Sequence, residues 1–89
     1  MTLPVCVGEH EGSLIQFEKN IYTLQMPAAF APGQPLRIRV RGHGETEEFE
    51  IEARAIGSKR TDDGQFEVRA RAINLRRTHR ETISKALAG

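Results

Sequence analysis

Leu36-Arg37-Ile38-Arg39-Val40-Arg41 alternates apolar and charged residues without a break. Period two is the signature of a strand with one buried and one wet face. Glu48-Phe49-Glu50-Ile51-Glu52-Ala53-Arg54-Ala55-Ile56 repeats the pattern, with Phe49, Ile51, Ala53 and Ala55 on the buried face. If these segments pair antiparallel through the connection Gly42-His43-Gly44-Glu45-Thr46, then Arg37, Arg39 and Arg41 stand across from Glu48, Glu50 and Glu52. Facing opposite charges stabilise a sheet by roughly 0.2–1 kcal/mol per pair. The stretch therefore predicts a hairpin with a charge ladder on its outer side.

Working outward, Thr61-Asp62-Asp63-Gly64 is a turn, because Asp-Gly is a strong hairpin signal. It leads into a third strand over residues 65–72, with Phe66, Val68, Ala70 and Ala72 inward. Upstream, Ala31-Pro32-Gly33-Gln34-Pro35 reads as a turn. Residues 3–7, 13–17 and 21–26 read as three more strands. Pro4 suits an edge, and Glu18-Lys19-Asn20 makes a tight turn. Downstream, Thr78-His79-Arg80-Glu81 has capping-box form, and Ile83, Ala86 and Leu87 share one helical face. A helix over 79–88 is predicted, packed over an open end of the sheet structure. Six strands in 89 residues indicate a single mostly-β domain, a small barrel with a short C-terminal helix.

Composition narrows the function classes. Hydrophobic residues make up 38% and charged residues 28%, a globular balance with a heavily charged surface. The single cysteine, Cys6, cannot form an internal disulfide and reads as a small core residue. The start Met1-Thr2-Leu3-Pro4 predicts no signal peptide, and no apolar run approaches a membrane span, so the chain reads as cytoplasmic. Residues 1–56 hold five Lys/Arg against eight Asp/Glu, and residues 57–89 hold eight against four, so basic charge gathers at the C-terminal side.

The residue pattern from Phe30 onward resembles a PilZ domain. Phe30-Ala31-Pro32-Gly33-Gln34-Pro35-Leu36-Arg37-Ile38 is similar to the family's turn and following strand. Phe49-Glu50-Ile51-Glu52-Ala53-Arg54-Ala55-Ile56-Gly57 is similar to its next strand. Asp63-Gly64-Gln65-Phe66-Glu67-Val68 through Ile73-Asn74-Leu75 is similar to its last strand and exit. The likeness spans about residues 12–87. It implies a small six-stranded β-barrel in bacterial second-messenger or motility signalling, where many members bind cyclic di-GMP. They do so through an R-x-x-x-R segment ahead of the first strand and a [D/N]-x-S-x-x-G motif after it. Here no arginine precedes Arg37. The matching loop is Val7-Gly8-Glu9-His10-Glu11-Gly12, in which only Gly12 fits and Glu9 and Glu11 bring negative charge. The resemblance thus implies a degenerate member, a regulatory module that acts through contacts with an unidentified partner protein.

Two rival functions are kept. One is an anionic-ligand receptor, for cyclic di-GMP or a similar molecule, using Arg69, Arg71, Arg76, Arg77 and Arg80. The other is a small-barrel nucleic-acid binder. It is disfavoured because only Phe17, Tyr22 and Phe30 are free to stack bases. Catalysis lacks a nucleophile with a paired base. His10 and His43 read as solvated loop residues, so no metal and no cofactor is expected. Oligomerisation stays open. The expected docking surface is a sheet face, the C-terminal helix or the 42–46 loop, and an exposed apolar patch around Ala28, Ala29 and Phe30 would support docking.

Overall fold

The computed structural model describes residues 2–41 and 48–88. The 42–46 connection and His43 lie outside the described residues. Six strands follow in order: β1 (Leu3–Val7), β2 (His10–Glu18), β3 (Ile21–Met26), β4 (Pro35–Val40), β5 (Phe49–Arg60) and β6 (Phe66–Ile73). One helix, α1 (Arg77–Ala88), follows them. Every pairing is antiparallel, and the strands close into a barrel in the order β1-β2-β3-β6-β5-β4. Closure leaves no sheet edge along the ring.

The charged hairpin has the expected register. Arg37 lies opposite Glu52, and Arg39 opposite Glu50. The ladder is looser than the pattern implies. Its one ion pair is diagonal, Arg39 to Glu48 at 3.8 Å, between exposed side chains. Such a pair contributes at most about 1 kcal/mol. Arg41 turns away from β5 to Glu11 on β2, at 2.9 Å.

Turn chemistry sets the hairpins. Lys19 and Asn20 both hold positive φ, 51° and 64°, which a two-residue turn between twisted strands requires. Between β5 and β6, the Asp63 carboxylate accepts from the Thr61 hydroxyl and from Gln65 N–H. These two donors, the hydroxyl first, hold the Asp63 pKa below its ordinary value.

The barrel interior is filled by side chains from all six strands, among them Val5, Leu14, Leu24, Met26, Ile38, Val40 and Val68. Each end has its own plug. At one end α1 lowers Ile83, which has no accessible surface, with Ala86 and Leu87 packed beside it. At the other end Phe30 is only 8% exposed. Ser58 Oγ both accepts from Phe30 N–H (2.9 Å) and donates to Phe30 C=O (3.0 Å), which fixes that plug. Ser58→Ala leaves both backbone groups without this partner and is expected to cost about 1–2 kcal/mol in chemical denaturation. An unchanged midpoint would mean that water replaces the hydroxyl.

Several expectations are corrected. The helix begins at Arg77, not 79, and Thr78 is not its cap. Arg80 N–H donates to Arg76 C=O at 2.9 Å, so Thr78 lies inside the first turn. A cap is worth about 1 kcal/mol, less than the roughly 1.5–3 kcal/mol of burying a large aliphatic side chain such as Ile83. Packing therefore outranks capping here. β5 runs four residues past Ile56, because a bulge between Ala55 and Gly57 resets the alternation. Cys6 is not a core residue: alternation in β1 buries Leu3, Val5 and Val7 and turns Cys6 outward, half-exposed.

Candidate functional site

The five arginines Arg69, Arg71, Arg76, Arg77 and Arg80 fall into two groups. Arg69 and Arg71 are exposed, consecutive outward residues of β6. Arg76, Arg77 and Arg80 surround the start of α1. A helix N-terminus carries partial positive charge, and the first turn holds no acidic residue. Two of the three have local partners. Arg77 pairs with Glu81 one turn on, at 3.2 Å. Arg80 donates to the Asn20 side chain in the β2–β3 turn and lies 5.4 Å above the Phe17 ring. Arg80 thus fastens the helix to the barrel. Arg76 lines an open cleft of about 480 Å³ with Glu50, Glu52, Asn74 and His79. Carboxylates share that cleft, so it is mixed rather than anion-selective.

The loop matching the family's second motif is also described. Gly8 takes φ 60° in the β1–β2 turn, and Glu9 is exposed. His10 is the first residue of β2, not a loop residue, and meets the Phe30 ring edge-on at 6.0 Å. Glu11 holds Arg41, whose guanidinium also donates to Cys6 Sγ at 3.3 Å. The sulfur first and Glu11 next raise the Arg41 pKa above its ordinary value. A carboxylate of this segment thus already engages Arg41, while Arg37 lines an open cleft of about 410 Å³ with Val7, Gly8, Glu9 and His10.

The aromatic residues are not free. Tyr22 has no accessible surface and stacks on Phe17 at 4.8 Å. Phe30 plugs the barrel, and Phe49 stacks on His79 at 4.3 Å. The expected apolar patch at Ala28, Ala29 and Phe30 is therefore not formed, because its one large member points inward. Among the described residues the exposed large apolar side chains are Ile15 (38%) and Ile56 (44%). Each sits at a bulge, between Leu14 and Gln16 in β2 and between Ala55 and Gly57 in β5.

Missing from the sequence reading was Arg54 as a neighbour of Arg71. The two are direct partners across β5 and β6. The signal was there: both lie on the outer phase of strands joined by the Asp63-Gly64 turn. The bulge at Ile56 hid the register. Among the described residues, no group of three His, Cys, Asp or Glu side chains is placed to hold a metal ion. No described helix is long and apolar enough to cross a membrane. No protein-family model matches the chain, and no curated protein and no solved structure matches it.

Proposed function

We propose that this chain is a PilZ-like regulatory module that works by docking a partner protein, with a degenerate cyclic di-GMP site and no catalysis of its own. The observation that carries the reading is the Gly8–Gly12 segment. Where the family resemblance implies a phosphate-facing motif, this chain places exposed Glu9 and a Glu11 carboxylate bound to Arg41. A diphosphate-like ligand there would meet negative charge, the Arg41 fork is already held by a carboxylate, and Arg37 shares its cleft with Glu9. The closed strand order accords with the barrel that the resemblance implies. The buried or stacked state of Tyr22, Phe30 and Phe17 supports protein contact over base stacking. In this reading the protein is bacterial and cytoplasmic.

The test is a calorimetric titration with cyclic di-GMP at physiological salt. No saturable heat is expected up to high-micromolar nucleotide. One-site binding in the micromolar range would sink the reading. The anionic-ligand receptor would then take its place, with Arg69, Arg71, Arg76, Arg77 and Arg80 as the first substitutions.

A further inference from the structure

Three arginines meet on the outside of the barrel, and among the described residues none of them is ion-paired with a carboxylate. Arg71 on β6 lies directly across from Arg54 on β5 and from Ile21 on β3. Arg69, two residues back on the same face, lies across from Thr23 and Gly57. The ion pairs among the described residues are Arg39–Glu48, Arg41–Glu11 and Arg77–Glu81, and none involves these three. Among the described residues the Arg54 side chain gives one hydrogen bond, to Gly33 C=O at 3.3 Å. Like charges directly opposite destabilise a sheet. The adjoining β4–β5 face shows the alternative, since there Arg37 faces Glu52 and Arg39 faces Glu50.

The surroundings mix polar and aliphatic side chains. Gln16, Thr23, Arg69 and Gly57 form one cross-strand row, and the bulge residues Ile15 and Ile56 stand beside its two ends. Ile21 and Ile73 are half-exposed neighbours on the same outer face. A side chain at Gly57 would meet nothing, so the surface above it is open. Thr23 lines a shallow cleft of about 240 Å³ with Arg69, Gln16, Ile21, Glu18 and Lys19. Three strand spacings make the row about 14 Å wide.

We propose that this face of β3, β6 and β5 docks an acidic segment of a partner protein. Carboxylates engage Arg54, Arg69 and Arg71, and an aliphatic side chain rests on Ile21 and Ile56. The proposal builds on the protein-docking reading above. All three cations are arginine, whose planar fork takes carboxylates two oxygens at a time and which is enriched in protein interfaces while lysine is depleted. Charge also limits the partner. Glu18 lies across from Ile21, Glu52 across from Ile73, and Glu67 precedes Arg69 on the outer phase of β6. A short acidic stretch fits between these carboxylates, whereas a long polyphosphate track runs into them.

The probe is a fluorescent synthetic peptide of alternating glutamate and leucine, read by anisotropy at low and high salt, with an oligothymidylate of equal charge beside it. Arg54→Glu is the main variant, because it converts a like-charge pair into an opposite one. Its melting temperature is expected to rise by about 2–5 °C, which shows that it is folded. Its peptide affinity is expected to fall at least about tenfold, the ratio of 1.4 kcal/mol, and Arg71→Glu should match it. Peptide affinity within twofold of the parent in the folded variant overturns the proposal. So does no peptide binding at millimolar concentration, tighter binding of the oligothymidylate than of the peptide, or a self-association that Arg54→Glu abolishes. The last two assign the face to nucleic acid or to a second copy. Peptide binding that ignores Arg54→Glu condemns this face alone, whereas saturable cyclic di-GMP binding removes the docking reading beneath it.

Discussion

Gly12→Ala is expected to lower stability by about 3 kcal/mol, the upper end of what overpacking costs. For a domain of this size that is a fall of roughly 12–24 °C in melting temperature. Gly12 lies in β2 opposite Val5 of β1, and its other flank meets the end of β3. A Cβ there would collide with the Gln25 carbonyl oxygen and with Met26 Sδ. Met26 is fully buried and flexible, and its sulfur can give way. The Gln25 carbonyl is backbone in a paired strand and cannot move without disturbing the β2–β3 ladder. Gly57→Ala is the control, since a Cβ at that glycine meets nothing. It should stay within about 1 kcal/mol of the parent in the same thermal unfolding series. Equal melting temperatures for the two variants would mean that β2 and β3 do not approach this closely.

The result also bears on function. Gly12 is the one residue of the loop that fits the family's glycine-ending motif, and packing alone accounts for it. A glycine retained for closeness to β3 carries no information about a nucleotide. What remains at the loop is Glu9, Glu11, the Arg41 contact and Arg37 across the cleft, so charge rather than motif residues marks the proposed degenerate site.

The strands that alternate cleanly were legible in the sequence because alternation, burial and register are one fact in a sheet. Leu36, Ile38 and Val40 are all buried, and each faces the β5 partner that the pattern implies. Where a bulge intervenes, that equivalence fails. At Ile56 the extra residue faces water and the following residues change phase, so the last four residues of β5 look like loop. The same failure at Ile15 sets an apolar residue outside β2. The candidate site inherits the error. Arg54 and Arg71 can be recognised as neighbours only once the β5–β6 register is known, and the bulge withholds it. Long-range plugs are equally silent. Phe30 reads as a free ring in a Pro-Gly segment, and only its two hydrogen bonds to Ser58, 28 residues away, explain why it is buried. The capping-box reading of Thr78 failed for a related reason: a local preference yielded to where Ile83 had to reach.

Raising the pH is expected to destabilise the protein through one side chain, Tyr22. Its ring is enclosed between Phe17 and the core, and its hydroxyl has no hydrogen-bond partner. Burial disfavours the phenolate and pushes the pKa from 10.0 up to about 12, while the nearby Arg80 charge pulls the other way. The folded pKa lies above the unfolded one. Ionisation of Tyr22 therefore leaves stability untouched below pH 10 and lowers it as the pH rises toward about 12. Two pKa units correspond to about 2–3 kcal/mol, a large share of the roughly 4–13 kcal/mol typical of a domain this long. Tyr22 is the only tyrosine and the chain has no tryptophan, so tyrosinate absorbance reports this residue alone. Folded protein should ionise near pH 12, and protein in denaturant near pH 10. Tyr22→Phe removes both the titration and an orphaned hydroxyl, whose burial costs about 1–3 kcal/mol. The variant should be at least as stable as the parent at neutral pH and should lose less stability between pH 10 and 12. A parent that ionises near pH 10 while still folded would mean that water reaches the phenol past Phe17, and that Arg80 and the helix do not seal this end of the barrel.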